Sequence, residues 1–131
     1  MKLSDELTAL LREPSTCYLT TLMPDGSPQI TQVWVDTDGE NVLVNSVRTH
    51  LKTRNIARDP RVALAVSSPR NPSRYVQIRG RVAEVRTDGA ADHIEALAHK
   101  YLGGPYPWFG GRDQERVQFV IEAGSVSGIG N

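Results

Sequence analysis

The residues best suited to hold a charged group lie in one run, Asn45-Ser46-Val47-Arg48-Thr49-His50-Leu51-Lys52-Thr53-Arg54-Asn55. A β-rich segment ends there in two small polar residues, and a helix begins a few positions later with Lys52 and Arg54 in its first turn. Cations at a helix N-terminus oppose the macrodipole, which favours anions at that end. The placement makes physical sense if an anion sits between the helix start and the basic side chains, so that backbone N–H groups, Lys52 and Arg54 share a phosphate. The competing reading is a solvated basic helix, which composition alone would favour.

Charge along the chain sharpens the choice. From Asn41 to Ala83 there are nine basic residues and one acidic residue, Asp59, a net charge of +8. The rest of the chain carries six basic and 14 acidic side chains, a net charge of −8. Such a block is either an anion-binding surface or a basic middle over which the acidic ends fold.

Other chemistry finds little support. There is no GxGxxG, Walker, HExxH or GxSxG pattern. His50, His93 and His99 have no metal-ligand spacing; His93 and His99 fall about 120° apart on a helix and read as surface residues, so no metal site is expected. Cys17 reads as a small core residue, with no histidine placed to activate it. No catalytic acid, base or nucleophile can be assigned, so an enzyme of this sequence would leave its reaction to a cofactor.

The elements that must position these residues are legible from periodicity and turn chemistry. Ser4 caps a first helix with Leu3, Leu7, Leu10 and Leu11 on one face, ended by Glu13-Pro14. Thr16–Leu22, Pro28–Thr37 and Val42–Ser46 read as an antiparallel meander joined at Pro24-Asp25-Gly26 and Asp38-Gly39. Thr49 is the expected N-cap of a helix over His50–Arg58, which Asp59-Pro60 stops. Arg61–Ser67 is a strand, and Tyr75–Thr87 is a long one bent or bulged at Gly80. A further helix starts at Asp88 or Gly89, with Ile94, Leu97, Ala98, Tyr101 and Leu102 sharing a face. Gly103–Gly111 is an aromatic loop, Glu115–Ala123 is a strand with Val117, Phe119 and Ile121 inward, and the remainder is a polar tail.

This pattern predicts a mainly β fold with helices: one domain over residues 1–131, a six- to seven-stranded antiparallel barrel with three short helices. At 39% hydrophobic and 23% charged residues, disorder, collagen and coiled coil are excluded. The longest apolar run, Val62–Val66, is far short of the about 20 residues that span a membrane, and no secretory signal is visible, so the expectation is a cytoplasmic protein.

Several of these segments together resemble the pyridoxamine-phosphate-oxidase-like split β-barrel superfamily of FMN-binding fold. They are the PDG turn, Pro28-Gln29-Ile30-Thr31-Gln32-Val33-Trp34-Val35, Lys52-Thr53-Arg54-Asn55, Arg58-Asp59-Pro60-Arg61-Val62, Tyr75–Val82, and Lys100-Tyr101-Leu102-Gly103 with Tyr106-Pro107-Trp108. Within it the sequence is most similar to actinobacterial oxidoreductases that use the deazaflavin coenzyme F420. The resemblance implies a homodimer with cofactor sites at the subunit interface. It assigns the cofactor phosphate to Lys52, with Arg54 and Asn55 assisting, and lays the ring along Gln32, Val33, Trp34, Val35, Asn45 and Ser46. Arg74 and Tyr75, in the loop before the long strand, would reach the partner's site.

Tyr106, Trp108 and Phe109 could wall the pocket for a small planar substrate, and Tyr75 or Tyr106 could supply a proton. The implied reaction is hydride transfer from reduced F420 to an electron-poor double bond. The basic block suits a cofactor with several negative charges, which favours F420 over FMN. An FMN-dependent oxidoreductase and a non-catalytic F420 carrier are the alternatives. Nucleic acid is not an expected partner, because Tyr75 is the one aromatic residue interleaved with the basic block.

Overall fold

A computed structural model describes residues 2–128. The chain runs α1 (Asp5–Arg12), β1 (Thr16–Leu22), β2 (Pro28–Val33), β3 (Val35–Thr37), β4 (Val42–Val47), α2 (Leu51–Arg58), β5 (Arg61–Ser67), β6 (Tyr75–Arg86), α3 (Ala90–Leu102) and β7 (Arg116–Gly128). The seven strands form one antiparallel sheet in the order β2-β1-β5-β6-β7-β4-β3.

One interruption that the alternating pattern does not predict defines the architecture. Pro28–Thr37 is two strands, broken at Trp34. Val33 pairs with Cys17 on β1, while Val35 pairs with Val44 on β4. One residue therefore carries the chain from one edge of the sheet to the other, and the sheet curls into a barrel whose seam is Trp34. Inside–outside alternation survives the break, with Val33, Val35 and Thr37 all buried.

α3 closes the seam. The Val35 N–H donates to Tyr101 Oη at 3.1 Å, and Tyr101 Oη donates to the Ser15 carbonyl at 2.7 Å. Lys100 Nζ donates to the Leu11 carbonyl at 2.9 Å and to the Val35 carbonyl. These bonds satisfy the Val35 backbone groups at the strand break and carbonyls at the end of α1 and in the connection to β1. α1 and the residue before its cap plug the barrel with Leu3, Leu7, Leu10 and Leu11, all in the core, and the N-cap Ser4 accepts from the Leu7 N–H at 3.2 Å. Cys17 is fully buried beside them, and burial pushes its thiol up to about 12.

Two boundaries and the exposure of two residues differ from expectation. α2 begins at Leu51 with His50 as N-cap, because a tight turn, with the His50 N–H on the Val47 carbonyl at 3.1 Å, uses up Thr49. β7 continues through Gly128, since the first half of β6 needs a partner for its backbone groups; of the expected tail, residues 129–131 lie outside those described. Leu102 is exposed, because α3 ends at Gly103 with no layer outside it. His93 is covered, as described below.

Gly80 marks a register shift between β6 and β7, as its place in the sequence suggests. A Cβ there would stand 2.0 Å from the Glu122 carbonyl oxygen. Backbone on both sides cannot yield cheaply, so Gly80→Ala is expected to destabilise the fold by about 1–3 kcal/mol, measured as a lower urea midpoint with the m-value kept.

Candidate functional site

A cavity of about 390 Å³ opens along the seam. β2 and the break supply Gln32, Val33 and Trp34; β4 supplies Asn45 and Ser46; the start of α2 supplies His50 and Lys52. The opposite boundary comes from Ile94 and Tyr101 of α3, Tyr106 and Phe109 of the following loop, and Arg116 at the start of β7.

The aromatic side is tightly organised. Trp34 stacks on Tyr101 with ring centroids 5.3 Å apart and planes within 8°, and Tyr106 meets Trp34 edge-on at 6.3 Å. Glu95 clamps the loop by accepting from the Tyr106 N–H at 3.0 Å and from Trp108 Nε1 at 3.1 Å. That clamp holds Trp108 in a left-handed backbone conformation, φ 54°, which a residue with a side chain adopts at a cost. Trp108 thus braces Tyr106 from behind, with rings 5.2 Å apart, and does not line the cavity.

The polar side is cationic. Lys52 is held below the usual lysine range by burial and then by the neighbouring Arg116. His50 is lowered by burial, Lys52 and Arg116 in turn, and Arg116 is lowered by burial. Among the described residues none of the three is paired with a carboxylate. Ser46 Oγ, also on the cavity, is buried without a hydrogen-bond partner. Two half-buried cations, Lys52 and Arg116, stand with the His50 imidazole beside an unsatisfied hydroxyl, and together they form a seat for an anion.

Of the sequence-predicted site residues, Gln32, Val33, Trp34, Asn45, Ser46, Lys52, Tyr106 and Phe109 come together here. Val35 points into the core and is fully buried. Arg54 is exposed outside the cavity. Asn55 is fully buried, donating to Thr21 Oγ1 at 3.0 Å and accepting from Arg58 at 2.9 Å, so its side chain is committed to bracing α2 on the barrel. Arg74 lies 3.9 Å from Glu6, and Tyr75 is exposed on the sheet; neither lines the cavity of its own chain.

The basic block also resolves. Arg48, Arg61, Arg70, Arg74 and Arg81 face Glu115, Asp59, Glu13, Glu6 and Glu122, so much of its charge is met internally. Lys52 alone of the nine lines the cavity. The residue the sequence reading missed is Arg116. It carries no spacing signal, because it reaches Asn45 through the pairing of β4 with β7, Val47 opposite Arg116.

Residues 3–129 match the family model described as pyridoxamine 5'-phosphate oxidase. Among solved structures, the chain is similar to an F420 reductase at 31% identity, over 95% of this chain and 98% of that one, with a TM-score of 0.82. A Listeria innocua protein assigned to pyridoxamine 5'-phosphate oxidase shares 21% identity over 97% and 98% of the two chains, with a TM-score of 0.72. A conserved hypothetical protein of Mycobacterium tuberculosis shares 23% over 95% and 82%, also at 0.72. These last two likenesses are likenesses of fold.

Proposed function

We propose, on the premise that this chain belongs to the pyridoxamine 5'-phosphate oxidase family, that it is a cytoplasmic oxidoreductase using coenzyme F420 to reduce an electron-poor double bond of a small planar substrate. The observation that carries the reading is the uncompensated cluster of Lys52, Arg116 and His50 beside the orphaned Ser46 hydroxyl. The 31% identity to an F420 reductase supports the deazaflavin over FMN. Charge no longer discriminates between them, since so much of the basic block is paired internally.

Lys52 and Arg116 hold the cofactor's anionic group, and Ser46 Oγ offers a hydrogen bond. Gln32, Val33 and Trp34, with Asn45, provide the surface for its ring. When bound in reduced form, the deazaflavin supplies the hydride. Tyr106 and Phe109 bound the remaining space, orient a planar molecule and keep water from it. Arg116 Nη1 donates to Tyr106 Oη at 3.4 Å, which leaves the phenol proton directed elsewhere and places a cation beside the oxygen that would lose it. Tyr106 is therefore the proton donor in this reading.

The same reading makes the protein a homodimer. The outer face of β1, β2 and β6 exposes Tyr18, Ile30 and Tyr75. A second copy packed there would bring Arg74 and Tyr75 to its partner's cavity. No helix of the described residues is long and apolar enough to cross a membrane. An FMN-dependent enzyme is the second reading, favoured by the family model itself.

Titration with F420 and FMN in parallel, read by quenching of Trp34 and Trp108 fluorescence, tests the proposal. Tighter binding of F420 is expected. Preference for FMN would select the second reading, and binding of neither would overturn both.

A further inference from the structure

Arg116 does not set its own direction in the cavity. Its Nε donates to Asn45 Oδ1 at 2.9 Å. The same buried amide donates through Nδ2 to the Ala90 carbonyl at 2.8 Å, and that nitrogen also meets His93 Nδ1 at 3.1 Å. A carbonyl oxygen can only accept and an arginine Nε–H can only donate, so the amide has one workable orientation. In that orientation His93 Nδ1 must accept, and the ring proton sits on Nε2. Sequence spacing alone places His93 on the surface, yet its side chain is 9% exposed. Nε2 is buried without a hydrogen-bond partner, with Asp36 Oδ2 next at 3.8 Å.

We propose that His93 is a positioning residue: through Asn45 it holds the Arg116 guanidinium on the cavity, and protonation of its imidazole releases that hold. The proposal rests on the reading that the cavity takes an anion. A proton on Nδ1 turns the acceptor into a donor facing the amide's own NH₂. Rotating the amide would set its oxygen against the Ala90 carbonyl and its NH₂ against Arg116 Nε–H. Rotation breaks the Asn45–Arg116 bond, and without rotation the two facing donors push away the amide that anchors Arg116.

Charged groups of β3 and α3 lie near the ring. Asp36 of β3 faces Nε2 and would receive the imidazolium. Lys100, on the same helix as His93, lies 4.0 Å from that carboxylate and competes for it. Asn45 of β4 relays the change to Arg116 of β7. His50, on the cavity boundary, acts with opposite sign: it gains positive charge on acidification and strengthens anion binding. His50 therefore does not account for a loss of affinity at low pH, and the His93→Asn variant isolates the part that belongs to His93.

The test compares the wild-type protein with His93→Asn and His93→Leu. Asparagine places an acceptor oxygen near the Nδ1 position without a titrating group. In ligand-free wild-type protein, ¹⁵N NMR at about pH 8 is expected to show the His93 proton on Nε2, and acidification to about pH 5 to shift the Arg116 Nε–H signal. His93→Asn should keep that signal unchanged. F420 titrated at both pH values should lose about tenfold more affinity on acidification in wild type than in His93→Asn, the loss of one charge-assisted hydrogen bond. His93→Leu should bind weakly at both. A proton on Nδ1 at the higher pH, or equal pH dependence in wild type and His93→Asn, would overturn the proposal. If no variant binds F420, the cofactor reading fails, and the Arg116 signal in the free protein still decides the role of His93.

Discussion

Lys52→Ala is expected to weaken F420 binding by about 1.5–3 kcal/mol, roughly ten- to a hundredfold, the worth of a hydrogen bond to a charged group. The free protein should not lose stability with it. The Lys52 amine is depressed by burial and by Arg116, so in the folded state its charge is disfavoured relative to the unfolded chain. That penalty is full below the folded pKa, fades as pH rises through it and is gone above the unfolded value, so near neutral pH removal of the amine relieves it. Thermal unfolding and F420 titration should therefore move independently, with Tm kept or raised while affinity falls. Unchanged affinity would remove Lys52 from the site.

Phe119→Ala should have the largest effect on the fold, a loss of about 3–5 kcal/mol. Phe119 is fully buried in the first half of β7, opposite Val44 on one side and Val85 on the other. A loss of that size is a large share of the ~5–15 kcal/mol by which a domain is stable. Urea unfolding measures it, and Phe109→Ala serves as the contrast: at 76% exposed, Phe109 should change stability by less than about 0.5 kcal/mol. Phe119 also bears on the site. The Asn45–Arg116 bond depends on the β4–β7 register in which Phe119 is packed, so the variant should lose F420 affinity as well.

Much of the scaffold was legible because short-range physics sets it. β1 and β5 begin and end where alternation and turn residues placed them, and the Ser4 cap and the Asp59-Pro60 stop act within a single turn of chain. Inward residues of β7 were readable for the same reason: period two assigns Val117, Phe119 and Ile121 to one face whatever the strand pairs with. Lys52, Asn45 and Ser46 were legible as candidates because they cluster along the chain near the start of one helix.

What the chain order could not express was decided by closure of the sheet. No local signal breaks a strand at Trp34, since alternation continues across it; the break exists because the two edges of a curled sheet must be joined there. Asn55 looked like a neighbour of the anion seat, yet the facing of α2 on β1 turns it to Thr21. Arg74 met Glu6, and Arg70 met Glu13, through contacts between segments far apart in sequence. Arg116, Asn45 and His93 lie on β7, β4 and α3, and non-local strand register and helix docking bring them together. Residue type and local spacing could nominate the cations, but only the pairing of β4 with β7 and the seating of α3 determine which of them share a cavity.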